Sequence, residues 1–456
     1  MKQLTSILRL LFVIGTVCLS TFTTHADLWS TGYYPCYEQG STKMPASQID
    51  FTALTHIIHF SVYPNTDGTL STSYQGLTLA DSTDLVTRAH AAGKPVLICV
   101  GGGGSESAFE AATSTANLPV FINNLTNFMA TRSYDGVDID WEPVSSADYG
   151  QFTNLVNGLR SALNIFPQHK LLTVAAGAYK NSGSVSVYYG MYAALQSQFD
   201  QINIMTYDMS DTSLKATWFN SPIYDGNYHA PTGLAPSINV AVSNFVFYGV
   251  SPAKLGIGIP FYGYIWAGGS GTSTGGVTQP RQTWTTAPTV TTPSYTTIMS
   301  GYYQSNLYYW DTNAQAAYLS ISNTNSANDM FISYDDQRAC QSKVSYARNQ
   351  GLGGVIIWEL ALDHQTGQPD PLLEAVKQAL ATPGLITIQN SGQDIALDFN
   401  GLPLGSYSVK WSGDLNSNVW NTLVVTNVSG PGGVIQVVDP DAVSQTQRFY
   451  RVQTPP

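Results

Sequence analysis

A chain of 456 residues with 43% hydrophobic content holds more apolar material than one small core needs, so a large domain plus a minor one is expected. Only 11% of residues are charged, while 27 Tyr, 17 Phe and 9 Trp stand among loops rich in Ser, Thr, Asn and Gln, a balance that excludes a fibre or a disordered tail and suits neutral, hydroxyl-bearing ligands. The formal charge of −11 disfavours nucleic acid and other polyanionic partners.

The first 26 residues read as a secretory signal peptide. Lys2 and Arg9 supply the positive region, Leu10 to Leu19 the apolar stretch and Thr24-His25-Ala26 the small-residue cleavage site. The mature chain is expected to start at Asp27, extracellular and with no membrane span, because the apolar stretch is short of the ~20 residues a span needs. Cleavage leaves 17 basic residues against 30 acidic and lowers the formal charge to −13. Cys36, Cys99 and Cys340 then remain, an odd number without Cys-x-x-Cys spacing, so neither a disulfide framework nor a zinc site is indicated, although one pair could form.

From Trp29 to Ala381, short apolar runs alternate with helix-like stretches. The runs are Gly32 to Tyr34, Thr55 to Val62, Pro95 to Gly101, Gly136 to Glu142, Leu171 to Gly177, Ile202 to Tyr207, Leu255 to Phe261 and Gly354 to Trp358. Eight such units predict an α/β fold, a closed (β/α)8 TIM barrel over residues 27–381. Helices are expected at Ser82 to Ala92, with Ser82 as N-cap and Gly93 as stop, and at Phe152 to Ile165. About 90 residues separate the seventh run from the eighth, too many for a βα connection, so an insertion subdomain is placed at 267–340. Within this gap Gly268 to Thr297 reads as loop or hairpin and Tyr308 to Tyr334 as antiparallel strands, with Asp335 to Gln350 as the returning helix. After a final helix at Pro371 to Leu380, the pair Pro383-Gly384 marks a boundary near Thr382, and 384–456 reads as a small all-β module whose aromatic core would be Trp411, Trp420, Phe449 and Tyr450.

The most informative stretch is Asp135-Gly136-Val137-Asp138-Ile139-Asp140-Trp141-Glu142. Alternate residues of a strand share a face, so Asp138, Asp140 and Glu142 project together and Val137, Ile139 and Trp141 project oppositely. Inside a barrel, three unpaired acids would cost several kcal/mol, and folding alone gives no reason to keep them. Cleavage of a glycosidic bond does give one, since it needs a proton donor and nearby negative charge, and crowded carboxylates hold a proton near neutral pH. Glu142, the outermost, is the candidate general acid.

These residues resemble the signature of glycoside hydrolase family 18, Asp-x-x-Asp-x-Asp-x-Glu, matched at Asp135, Asp138, Asp140 and Glu142. Met205-Thr206-Tyr207-Asp208, Gly354 to Glu359, Gly32-Tyr33-Tyr34 and Gly258 to Gly263 fit the same family, and Tyr334-Asp335-Asp336 with Lys343 resembles the end of the α+β insertion of one chitinase subfamily. The resemblance implies a retaining hydrolase of chitin and chitooligosaccharides in which the sugar's own N-acetyl oxygen attacks the anomeric carbon, without cofactor or metal. It also implies roles. Glu142 would act as acid and then base, Asp140 would orient the acetamido group, and Asp138 would hold Asp140. Tyr207 and Asp208 would contact the reacting sugar. Trp358 would form the floor beneath it with Met205 alongside, and Tyr33 would sit under Asp138. Tyr262, Trp141, Phe60 and Gly102 are further candidates for substrate binding.

Two departures from the family pattern stand out. Cys99 occupies the usual serine of the third strand, offering Asp138 a weaker donor, and Pro143-Val144 follows Glu142 where many relatives carry Tyr-Pro. Two other classes of function fit the same signature, a non-catalytic chitin lectin and an endo-β-N-acetylglucosaminidase acting on N-glycans or peptidoglycan. The presence of Glu142 weighs against the lectin, and Tyr207, Asp208, Trp358 and the insertion weigh for chitin. The run Gly101 to Gly104 lacks the following Lys of a phosphate loop and reads as a tight turn. His56 and His59 fall on opposite faces of one strand and cannot share a metal, while Trp218, Trp266, Trp284 and Trp310 are each as fit for a sugar subsite as for the core. Nothing in the chain signals association, and a monomer is assumed.

Overall fold

The computed structural model describes residues 28–39, 43–178 and 185–381, with 387–391, 394–401, 406–414, 419–427, 433–440, 442 and 448–453 beyond. The expected signal peptide and the Pro383-Gly384 boundary lie outside the described residues. Eight parallel strands form the barrel: β1 (Trp29–Pro35), β2 (His56–Pro64), β3 (Val96–Gly102), β4 (Gly136–Trp141), β5 (Leu171–Gly177), β6 (Gln201–Met205), β7 (Leu255–Pro260) and β8 (Gly354–Trp358). Each pairs with its neighbours in sequence order, and β1 closes the ring by pairing with both β8 and β2.

Two cores follow from the period-2 alternation of these strands. The larger lies between barrel and helices and takes Val137, Ile139 and Trp141 from β4, with Val174 and Ala176 from β5. The smaller fills the barrel lumen with Tyr33, Ile58, Phe60, Leu97, Cys99, Tyr207, Tyr262 and Ile356. The remaining β4 positions, Asp138 and Asp140, therefore face the lumen. Lower down, Thr31 donates to Gln201 (2.9 Å), whose amide bonds His56 (3.2 Å). His59 bonds Tyr134 (2.7 Å) and Gln39 (3.1 Å) instead, so the two histidines have separate partners.

The first helix, α1, covers Leu79–Ala91 and starts three residues before the expected Ser82. Thr78 is its N-cap, because Thr78 and Asp81 satisfy each other's backbone amides in a capping box, a stronger start signal than a lone serine. Ser82 sits one turn in and donates to the Thr78 carbonyl. The helix after β4 covers Tyr149–Leu163, three residues ahead of expectation.

Between β7 and β8, a five-stranded antiparallel sheet is built from Tyr264–Ala267, Thr289–Thr291, Tyr308–Asp311, Ala316–Ile321 and Met330–Tyr334. It begins at Tyr264, three residues before the expected 267, and the stretch read as loop or hairpin also holds a short helix, Tyr295–Gly301, capped by Ser294. Trp218 and Trp266 are fully buried in the core of this subdomain with Phe219 and Phe331. Arg338 stacks on Trp310 (4.1 Å) and Trp284 packs against Trp266 (5.8 Å).

The C-terminal segment forms two three-stranded antiparallel sheets. Their core is Leu397, Tyr407, Val409 and Val437 rather than the expected tryptophans. A register shift between Val409 and Lys410 interrupts the alternation, and Trp411 instead lies half-buried under Arg448 (4.1 Å). Cys36, Cys99 and Cys340 are buried and unpaired. Among the described residues, no helix is long and apolar enough to cross a membrane.

Candidate active site

The barrel strands open at their C-terminal ends onto a cavity of about 540 Å³ lined by Tyr33, Asp140, Glu142, Met205, Tyr207, Asp208 and Trp358, and by the loop from Met209 to Leu214. This is the face on which barrel loops carry chemistry.

Asp138 is fully buried at the base of the acid line. It accepts hydrogen bonds from the Tyr33 hydroxyl (3.2 Å) and the Thr173 hydroxyl (2.5 Å). The strand register explains this: Cys99 on β3 and Thr173 on β5 are the lateral neighbours of Asp138 on β4. Burial raises the Asp138 carboxyl to about 6, with the Thr173, Cys99 and Tyr33 donors opposing the rise. The cysteine at the usual serine position is thus one donor of three.

Asp140 points outward to Glu142, not inward to Asp138. Burial, then the charges of Glu142 and Asp138, push its carboxyl well above the ordinary range, and it hydrogen-bonds Glu142. Glu142 is raised too, chiefly by burial and further by the Asp208 charge, while its bond to Asp140 pulls it down. One proton shared by two buried acids is the state these causes favour. Oδ1 of Asp140 is buried without a hydrogen-bond partner among the described residues, and Asp140 itself lines the cavity. The end of β4 is pinned by Ser105, whose hydroxyl donates to the Asp140 carbonyl (3.2 Å) and accepts from the Glu142 amide (3.0 Å).

Asp208 follows Tyr207 at the end of β6 with a left-handed backbone, φ 53°. Its amide donates to the Asn220 side chain (2.8 Å), and its Oδ1 accepts from Tyr262 (2.5 Å) and Tyr264 (2.7 Å). Trp358 is held by Tyr33 (5.5 Å between rings) and by the edge of Phe60 (4.8 Å). Gly102 admits Phe60: a Cβ there would lie 2.7 Å from the Phe60 ring.

Of the residues expected from sequence, Glu142, Asp140, Tyr207, Asp208, Trp358, Met205 and Tyr33 line the cavity, and Asp138 lies directly beneath. Tyr262, Phe60 and Gly102 stand behind the lining, where they hold Asp208 and Trp358. Trp141 is a correction. It faces the helix layer, stacked on Phe109 at 4.7 Å, because the alternation that turns the acids inward turns it outward. Sequence reasoning missed Thr173, Ser105, Asn220 and Tyr264. Thr173 alone left a trace, a hydroxyl in the apolar run Leu171 to Gly177. Outside the cavity, Glu106, Glu110 and Asp148 form the one group of three among the described residues close enough to share a cation, and the Glu106 backbone amide donates to the Glu142 carbonyl (3.2 Å).

Inward carboxylates at a strand end, above an aromatic floor in a (β/α)8 barrel, define the class: a barrel built on the glycoside hydrolase plan. The chain belongs to the Glycosyl hydrolases family 18, whose sequence pattern matches residues 30–363. It is 29% identical over 374 residues to Chitinase A1 of Niallia circulans, covering 74% of this chain and 51% of that protein. It is 28% identical over 304 residues to Chitotriosidase-1 of Mus musculus, covering 63% of each. The chain therefore spans between half and two thirds of the length of these relatives. A family 18 N-acetylglucosaminidase from Paenibacillus barengoltzii superposes with a TM-score of 0.64 at 25% identity, over 77% of this chain and all of that one.

Proposed function

We propose that the protein is a secreted chitinase that cuts β-1,4 links between N-acetylglucosamine units within the chain, retaining anomeric configuration through an oxazolinium ion. The observation that carries this is the hydrogen-bonded pair Asp140–Glu142 at the cavity wall, with Asp140 Oδ1 left without a partner among the described residues. A retaining pair with a carboxylate nucleophile holds its groups about 5–5.5 Å apart across the bond, and an inverting pair about 6.5–9.5 Å. Two acids in mutual contact on one strand face fit neither arrangement. They fit a single proton donor beside an acceptor for an amide N–H, which leaves attack to the substrate's acetamido oxygen.

The steps follow from the geometry. Asp138, surrounded by donors, works as an anion, and its charge helps keep a proton on the outer pair. When the acetamido N–H occupies Asp140, that carboxyl must accept rather than donate, so the proton passes to Glu142 and from there to the leaving oxygen. The same Glu142 then activates water. Tyr207 stands ready to bond the acetamido oxygen, and Trp358 supplies a stacking surface for the reacting sugar. The relatives named as chitinases support the substrate, and the apolar stretch and cleavage site before Asp27 support secretion. The test is hydrolysis of N-acetylchitooligosaccharides by wild type and Glu142→Gln, with loss of at least about a thousandfold in kcat expected for the variant. Binding without turnover in the wild type would instead establish a lectin, and release of glycan from glycoprotein with inert chitin would establish the N-glycan enzyme.

A further inference from the structure

The glycine run Gly101 to Gly104 lies where β3 ends beside the acid strand. Strand register sets Gly101 against Asp140 and Gly102 against Trp141. On the opposite edge, β5 pairs with β4 only as far as Ile139. In the strand ladder, the segment that carries the outer acids is therefore held from the β3 side. Gly101, Gly102 and Gly104 have φ of 110°, 117° and 77°, values that glycine takes without strain. A Cβ on Gly101 would also overlap the Asp140 carbonyl. The run wraps the chain around the end of β4, and the Ser105 amide closes the turn on the Gly102 carbonyl at 3.1 Å.

Ser105 is the N-cap of the short helix that follows, Glu106–Ala112. A serine in this position ordinarily accepts from an amide in the first turn of its own helix. Ser105 makes no such bond. The residue is fully buried, and its hydroxyl turns instead to β4, where it donates to the Asp140 carbonyl and accepts from the Glu142 amide. The next amide, of Glu106, donates to the Glu142 carbonyl at 3.2 Å. One turn further on, Phe109 lies flat on Trp141, with ring centroids 4.7 Å and planes 7° apart. One helix start thus grips the backbone of both acids and the side chain between them.

A cap hydroxyl diverted from its own helix to two backbone groups of the acid strand serves the strand rather than the helix. We propose that Ser105 is a positioning residue for the general acid: by clamping the end of β4 it sets how far the Glu142 carboxyl reaches toward the leaving oxygen. Ser105 does not line the cavity, so it acts through Glu142 and not on the sugar. The inference rests on the general-acid reading of Glu142. Reach matters because proton transfer needs donor and leaving oxygen about 3 Å apart, and a misplacement of about 1 Å costs up to about a hundredfold in rate.

The experiment compares kcat/KM on two substrates for wild type, Ser105→Ala and Ser105→Cys, at a temperature where thermal midpoints show all three folded. One substrate is the N-acetylated tetramer, whose leaving sugar oxygen must be protonated. The other is the 4-nitrophenyl glycoside of the N-acetylated dimer, whose nitrophenolate departs without a proton. For Ser105→Ala, kcat/KM on the tetramer should fall about ten- to a hundredfold and on the aryl glycoside less than about threefold. Ser105→Cys keeps a weak donor and acceptor and should fall between alanine and wild type on the tetramer. If Ser105→Ala does not fold, the cysteine variant carries the same comparison of substrates. An equal loss on both substrates would overturn the proposal, and so would a lowered thermal midpoint with both kcat/KM values kept, the mark of a purely structural serine. A wild type inert toward both substrates would overturn the catalytic reading beneath it, an outcome distinct from these.

Discussion

Asp138 accepts from three groups and donates to none, so its surroundings select the anion against the cost of burial. That balance gives a signed pH dependence. Thr173→Val removes the shortest donor, so the Asp138 carboxyl should climb above about 6. In the proposed mechanism the anion is the working form, so activity lost as pH falls through that value would then be lost at higher pH, and the acid limb of the kcat/KM profile should move up. Cys99→Ser, which replaces a thiol donor by a stronger hydroxyl, should move the same limb down. A limb that stays in place in both variants would mean that Asp138 does not titrate in catalysis. Asp138, Asp140 and Glu142 were legible in the sequence because three acids at period 2 have no structural purpose in a barrel. Their donors were not. Thr173 and Cys99 lie 35 and 39 positions from Asp138 and become its neighbours only through strand register, which no local pattern encodes. The misplacement of Trp141 had its remedy in the same alternation, since it follows Asp140 and must face away.

At the scale of elements, the end of β6 presents Tyr207 and Asp208, and the insertion holds that end in place. Lys343, on the helix Gln337–Asn349, is fully buried and ion-paired with Asp335 at the close of the insertion sheet. Its ammonium also donates to Ser221 (2.6 Å), whose hydroxyl donates to the Thr206 carbonyl, one residue before Tyr207. Thr206 in turn exchanges two hydrogen bonds with Gly258 on β7 (3.0 and 2.7 Å). Burial raises the Asp335 carboxyl to about 6 even against the Lys343 charge, so removing the ammonium would leave a buried, uncompensated acid. Lys343→Met should cost about 3–5 kcal/mol in urea unfolding. A cost below about 1 kcal/mol would show that the pair contributes little to the anchor. The eight barrel runs were legible as apolar segments at regular intervals, and every one coincides with a strand to within three residues at either end. Helix starts were less so, because the capping box at Thr78 and Asp81 lies outside the apolar periodicity that marks the helix body. Trp218 and Trp266 were undecided because large aromatics serve cores and sugar platforms equally, and only burial separates the two.

For the whole molecule, separation of cores matters most. The barrel core ends at Ala379, and the C-terminal sheets have their own cluster around Leu397, Tyr407, Val409 and Val437. The residues named at the cavity, from Tyr33 to Trp358, all belong to the barrel and its insertion. Among the described residues, the charged groups that line the cavity are Asp140, Glu142, Asp208 and Asp211. That lining offers negative charge to an oxazolinium ion. The alternating runs made the barrel and insertion readable from sequence, whereas the register shift after Val409 hid the core of the C-terminal sheets. The central claim is that the substrate's own acetamido group attacks the anomeric carbon while the Asp140–Glu142 pair handles one proton. The direct measurement is hydrolysis of a fully N-acetylated hexasaccharide beside its fully deacetylated counterpart, with the anomer of the new reducing end read as it forms. The account predicts rapid cleavage of the acetylated chain to the β-anomer and an inert deacetylated chain. Comparable cleavage of the deacetylated chain, or release of the α-anomer, would contradict it.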